Sequence, residues 1–162
     1  MNESGNELTH IDSEGRLRMV DVSSKEVTYR EARAEAAVLV LPETLRRILD
    51  QKMPKGNVFE AARLAGILAA KRTSDLIPLC HPIQLTDIKI DFSADPEKCQ
   101  ILIDSQVKTA DRTGVEMEAL VAVTHAALTI YDMCKAVDRN MKITDVQLIY
   151  KSGGRSGTYQ RP

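Results

Sequence analysis

Tryptophan is absent from the 162 residues, phenylalanine occurs twice, and aromatics together make up 4%. Proteins that read single-stranded RNA on an open sheet face stack bases on exposed aromatics, so this scarcity argues against that role, as does the lack of any RNP-like run. Neither charge is in excess: 22 Lys and Arg stand against 23 Asp and Glu, a net −1. A general nucleic-acid binder needs a clear basic surplus for its phosphate contacts. No apolar run reaches the roughly 18 residues of a spanning helix, and no basic start precedes an apolar stretch, so neither a membrane span nor a secretory signal is expected. The three cysteines (Cys80, Cys99 and Cys134) are far apart and never in CxxC spacing. They read as reduced thiols of a cytoplasmic protein.

What is present is a globular composition, 43% apolar and 28% charged. The length suits a single domain over residues 1–162, with about 1–10 and 158–162 flexible. The charge is unevenly placed. Residues 51–72 hold Lys52, Lys55, Arg63, Lys71 and Arg72 against Glu60 alone, and residues 151–162 add Lys151, Arg155 and Arg161 with no acid. Two basic islands in an otherwise acidic chain suit a small anionic ligand better than a long polyanion, although solvated surface charge gives the same pattern.

Between Thr28 and Leu41, Ala32, Ala34, Ala36, Val38 and Val40 share one parity while Arg33 and Glu35 take the other. That is the period of a strand, against the helical propensity of alanine. Pro42 suits the first position of a short helix to Gln51, with Leu45, Ile48 and Leu49 inward. Asn57, with Glu60 three residues on, has capping-box spacing for a helix to about Arg72 that packs through Leu64, Ile67 and Leu68. The stretch Ile77–Pro82 is bracketed by prolines and cannot be regular helix. Alternation at Ile88, Ile90 and Phe92, then at Ile101, Ile103 and Val107, flanks a turn at residues 94–98 and predicts an antiparallel hairpin. A long Ala-rich helix follows over about Val115–Val137, then a strand over Thr144–Tyr150 with Val146, Leu148 and Tyr150 on one face. The order is that of an α+β, ferredoxin-like split βαβ fold: an antiparallel sheet with two long helices packed on one face.

Several groups can carry chemistry. Glu116 and Glu118 open the long helix, where acids complement the helix dipole or, as bidentate acceptors, hold the N–H edge of a ligand. Asp132 and Lys135 lie one turn apart, as a plain ion pair or, if burial lowers the lysine pKa, as a proton-transfer pair. Glu118, His125 and Asp132 recur at sevens, but successive members stand ~10 Å apart along a helix, too far to share a metal. His125 is expected to be a packed histidine, and no metal site is predicted. His81 sits in a stiff proline-bracketed loop, and Cys80 beside it has no activating partner at useful spacing. The basic glycine run Lys151–Gly157 can cradle phosphate or form a loose tail.

Leu76-Ile77-Pro78-Leu79-Cys80-His81-Pro82, Thr113-Gly114-Val115-Glu116-Met117-Glu118-Ala119-Leu120, Ala127-Leu128-Thr129-Ile130-Tyr131-Asp132-Met133-Cys134-Lys135-Ala136 and Lys151-Ser152-Gly153-Gly154 occur in this order. With Lys55-Gly56-Asn57-Val58-Phe59 and Ala69-Ala70-Lys71-Arg72-Thr73, the series resembles the MoaC family over about residues 8–157. The resemblance implies a lyase of molybdenum cofactor biosynthesis. Its substrate would be (8S)-3′,8-cyclo-7,8-dihydroguanosine 5′-triphosphate, derived from GTP, and its products cyclic pyranopterin monophosphate and pyrophosphate. It implies a homohexamer, a trimer of dimers, with active sites at subunit interfaces. By match to the family's motifs, Asp132, Lys135 and Lys55 are the expected catalytic residues. Leu79, Cys80, His81, Met117 and Glu118 are expected to contact substrate, with Glu116 or Glu118 on the base's amino edge and His81, Lys71, Lys151 and Arg30 toward the triphosphate. No cofactor is firmly predicted: Mg²⁺ could accompany the triphosphate, and the sequence shows no dedicated protein cage for it. The alternative is a non-catalytic nucleotide-sensing domain, because fold alone does not fix function; it would bind a GTP analogue without converting the cyclic precursor.

Overall fold

The computed structural model of the chain describes residues 10–12 and 14–162. The expected loose start over residues 1–9 lies outside the described residues. Strand β1 (Thr28–Leu39) buries Ala32, Ala34, Ala36 and Val38 on one face and exposes Arg33 on the other. Tertiary packing thus overrides the helical propensity of its alanines. Helix α1 (Pro42–Leu49) starts on its proline and buries Leu45 and Ile48, whereas Leu49, expected inward, is half exposed. Helix α2 (Val58–Ala70) is capped by Asn57, whose side chain accepts from Glu60 N at 3.2 Å. The Glu60 carboxylate pairs with Arg63 at 3.3 Å, so only half of the capping box forms.

A single turn, α3 (Thr73–Leu76), leads into the proline-bracketed loop. The hairpin follows as β2 (Leu85–Asp95) and β3 (Gln100–Asp111), with Phe92 opposite Ile103 and Ile88 opposite Val107. Helix α4 (Glu116–Cys134) then crosses the sheet to β4 (Lys142–Ser152). Residues 158–162, expected to be flexible, carry a short strand β5 (Tyr159–Gln160) paired with Tyr150 and Lys151. The sheet order is β2-β3-β1-β4-β5, antiparallel throughout, and it realises the expected ferredoxin-like α+β arrangement. No helix among the described residues is long and apolar enough to cross a membrane.

Two departures from the sequence reading shape the site. The first concerns α2, which packs through its small residues Ala62, Gly66, Ala69 and Ala70 and leaves Leu64 and Leu68 at least half exposed. Contact with α4 is so close that a Cβ on Gly66 would lie 2.8 Å from Ala122 O. Leucines have no room in that seam. The second concerns β4, whose pairing with β1 slips twice, between Glu35 and Ala37 and between Arg33 and Ala34. Each slip is a bulge in which β4 carries one residue more than its partner, and Asp145, with φ 53°, sits at the first. Val146, Leu148 and Tyr150 therefore do not share a face. Leu148 packs on the core, Val146 is 42% exposed, and Tyr150 stacks under Arg33 on the opposite side. The second bulge also turns Lys151, opposite Ala32, toward the helices.

Candidate functional site

Helices α2 and α4 run antiparallel, as the contact of Lys55, just before α2, with Asp132, near the end of α4, requires. The expected site residues divide between the two ends of this pair. At the start of α4 a cavity of about 290 Å³ is lined by Leu79, Cys80 and His81 from the proline-bracketed loop and by Glu116, Met117 and Glu118 from the first turn of α4. Val20 and Val22 of the preceding segment close it on one side. His81 Nε2 donates to the Val20 carbonyl at 2.8 Å, a bond that requires the proton on Nε2 and leaves Nδ1 as an acceptor or second donor.

Glu118 is the most perturbed acid there. It is 3% exposed, and burial, reinforced by neighbouring Glu116, pushes its carboxyl up to about 7 against an opposing hydrogen bond from its own backbone N–H. A carboxyl poised near neutrality can give or take a proton at physiological pH. Burial, with the charge of Glu118, also raises the Cys80 thiol, which removes the thiolate a nucleophilic cysteine would need.

A second cavity, about 600 Å³, adjoins the first through Lys25, Thr113, Gly114 and Glu116. Lys151 Nζ stands 3.3 Å from Glu116 Oε1 at its margin and donates to Ser156 Oγ. Arg30, expected to face phosphate, lines this cavity but spends two donors on the backbone: Nε on Asp111 O at 2.9 Å and Nη2 on Arg112 O at 3.1 Å. Its guanidinium braces the loop before α4 and lies against Gly154, which with Gly153 takes the left-handed backbone (φ 71° and 96°). A side chain on Gly154 would collide with that guanidinium. Lys71 stands exposed at the C-terminus of α2, at the same end of the molecule, and lines neither cavity.

The expected catalytic residues gather at the other end. Asp132 receives Lys55 Nζ at 2.9 Å on Oδ2 and Lys135 Nζ at 2.7 Å on Oδ1, and Lys55 also donates to the Asp132 carbonyl at 2.9 Å. The hydrogen bonds from Lys135 and Lys55 hold the Asp132 carboxyl down at about 2, and Asp132 in turn raises Lys135. The three side chains are about half exposed, and at Lys135 the lowering by desolvation is outweighed by the contact with Asp132. Asp132 lies sixteen residues from Glu116 along α4, about 24 Å at the helical rise. One chain does not bring Asp132, Lys135 and Lys55 to the cavities that hold Glu118 and Lys151.

His125, midway along α4, is half-buried and bonds Val121 O through Nδ1 at 3.0 Å, as a packed histidine does. Among the described residues no group of three or more His, Cys, Asp and Glu is placed to hold a metal ion. The sequence reading placed Arg155 in the basic glycine run but missed Lys25 and Arg112, which line the larger cavity with it. Each comes from a different segment, so no local motif joins them.

Residues 19–154 match the model of the MoaC family. The chain is 58% identical to a cyclic pyranopterin monophosphate synthase of Pelotomaculum thermopropionicum, over 95% of this chain and 91% of the relative. It is 56% identical to one of Chloroflexus aurantiacus, over 100% and 99%, and 57% identical to one of Heliobacterium modesticaldum, over 95% and 97%.

Proposed function

The chain belongs to the MoaC family, and on that premise we propose that it is a cyclic pyranopterin monophosphate synthase acting in molybdenum cofactor biosynthesis. As a phosphorus–oxygen lyase it converts (8S)-3′,8-cyclo-7,8-dihydroguanosine 5′-triphosphate to cyclic pyranopterin monophosphate and pyrophosphate. The observation that carries this reading is the adjacency of a small acid-lined pocket and a larger cation-lined one at the start of α4. The first suits a guanine-derived ring, the second a polyphosphate.

Breaking and remaking C–N bonds of the purine-derived rings needs positioned proton donors and acceptors. Glu118, near neutrality, supplies one, and with Glu116 it receives the N–H edge of the base. Leu79 and Met117 flank the ring, with Cys80 beside them as a contact. Closing the cyclic phosphate breaks the bond between the α-phosphorus and the bridging oxygen, and the electron pair leaves with pyrophosphate. Cations on the departing oxygens stabilise that charge as it forms. Lys151, at the margin of the larger cavity beside Glu116, is the candidate for that role, with His81 reaching the phosphate chain from the ring pocket, and Arg30 shapes the cavity.

The remaining chemistry comes from a second copy. Asp132, Lys135 and Lys55 reach the substrate when the end of α4 in one subunit meets the start of α4 in another, in a homohexamer built as a trimer of dimers. Exposed Leu64 and Leu68 on α2 and Leu128 on α4 give the outer helix layer apolar surface for such contact. Burial there would also lower the Lys135 pKa toward a useful range. To test the assignment, Lys55→Ala and Asp132→Ala are purified, their assembly is confirmed by sedimentation, and pyranopterin formation is assayed. Loss of turnover with the assembly intact is expected. Near-normal turnover in either variant removes that residue from the mechanism.

A further inference from the structure

Among the described residues two acids are buried, and they lie at opposite ends of α4. Glu118 belongs to the ring pocket. Asp138, 2% exposed, follows the helix by four residues and has no part in the roles above. It is the one buried residue of the turn over residues 135–140. Among the described residues no cation pairs with it. A buried carboxylate without a counter-charge is costly unless its oxygens are hydrogen-bonded.

Those oxygens reach two separate stretches of backbone. Oδ2 accepts from the Leu41 N–H at 2.8 Å, and Oδ1 accepts from the Asn140 N–H at 3.1 Å. Leu41 immediately precedes α1 and offers no side-chain cap, so Asp138 supplies the negative group that a helix start favours. The Asp138 N–H donates to Cys134 O at 3.0 Å, beside the Val137 N–H at 2.9 Å. Asp138 thus ties the last turn of α4 to the start of α1.

These are the two arms that deliver the catalytic lysines. Lys135 stands three residues before Asp138, and Lys55 stands six residues beyond the end of α1. Their ammonium groups meet on Asp132. Cys134 lies between the arms: burial and the charge of Asp138 push its thiol up to about 11, and the charge of Lys55 opposes them. A lysine side chain is flexible, so the spacing of the two ammonium groups depends on the backbones that carry them.

We propose that Asp138 is a positioning residue, which joins the turn after α4 to α1 and so fixes how Lys135 and Lys55 stand around Asp132. The proposal rests on the synthase reading above and adds a buried support that lies outside the motifs. Asp138→Ala removes both acceptors, and Asp138→Asn keeps one. Both variants are purified, their assembly is verified by sedimentation, and kcat, KM, unfolding midpoint and amide hydrogen exchange are compared with wild type. In Asp138→Ala kcat should fall about ten- to a hundredfold, the scale of a small misplacement of reacting groups, with KM little changed. Asp138→Asn should recover part of that loss. Exchange should quicken in both residues 50–57 and residues 132–140. A lower unfolding midpoint with kcat unchanged, or exchange quickened near Leu41 alone, makes Asp138 a fold anchor and overturns the proposal. If Asp138→Ala fails to assemble, Asp138→Asn decides: reduced kcat with both segments quickened supports the role, and wild-type values overturn it. If wild type fails to convert the cyclised guanosine triphosphate, the synthase reading falls, and exchange in the two segments still decides whether Asp138 joins the arms.

Discussion

Mixtures of two chains, each expected to be inactive alone, give a quantitative test of how the site is assembled. Asp132→Ala removes the carboxylate that bridges Lys55 and Lys135 at the end of α4. Glu118→Gln removes the near-neutral acid at its start while keeping the side chain's shape. Neither change threatens the fold, because Asp132 is exposed and Gln spares the interior a charge. Alone, each variant leaves every site with one defective half. If each site takes the start of α4 from one copy and its end from another, random mixing in equal amounts makes about a quarter of the sites whole. If both halves belonged to the same chain, no mixture would ever contain a whole site, and the ~21 Å along α4 from Glu118 to Asp132 argues against that arrangement. The two variants, carrying different affinity tags, are co-expressed, doubly tagged assemblies are isolated, and pyranopterin formation is measured. Recovery toward about a quarter of wild-type turnover is expected. Activity no greater than the residual of the two parents, in assemblies shown to contain both chains, refutes the shared site.

Two further predictions concern stability. Glu118 is protonated in both folded and unfolded chains below its ordinary value of 4.5, and only the folded chain keeps the proton up to about 7, so stability falls as pH rises through that window and levels off above it. Glu118→Gln should flatten this slope and raise stability at pH 8 by up to about 3 kcal/mol relative to pH 5, read from urea midpoints; parallel pH curves for the two proteins would contradict the buried-acid assignment. Gly66→Ala gains up to about 1 kcal/mol of helix propensity but sets a methyl against Ile90 and Ala122 O, an overpacking cost of about 1–3 kcal/mol. A net loss in guanidinium unfolding is expected, and a net gain would mean that the α2–α4 seam has slack.

Periodicity in the sequence reached the layout of the fold because most elements obey a single rule along their length. β1 alternates from Ala32 to Ala36, the hairpin's apolar residues fall on one parity in each strand, and Asn57 marks the start of α2. Readings failed where a second segment decides the outcome. Leu64 and Leu68 look like core residues until α4 approaches so closely that only Gly66 and alanines fit the seam. Tyr150 and Leu148 appear to share a face until a bulge against β1 separates them. Among the site residues, Glu118, His81 and Leu79 were legible from their motifs and converge on one pocket. Lys71 carries the right charge at the right end of α2 but lines neither cavity, and Lys25, Arg112 and Arg155 meet only through tertiary folding.

The guanidinium of Arg30 has a consequence for how this region tolerates change. It joins β1 to the carbonyls of Asp111 and Arg112 and fills the space over Gly154, so three stretches far apart in the chain share one keystone. Substitutions at these places are thermodynamically coupled: once Arg30 is gone, bulk at Gly154 has nothing left to strike, and a second lesion costs less than it would alone. In the wall of the larger cavity, substitutions at these three stretches should therefore be non-additive, because each changes what the same guanidinium must span.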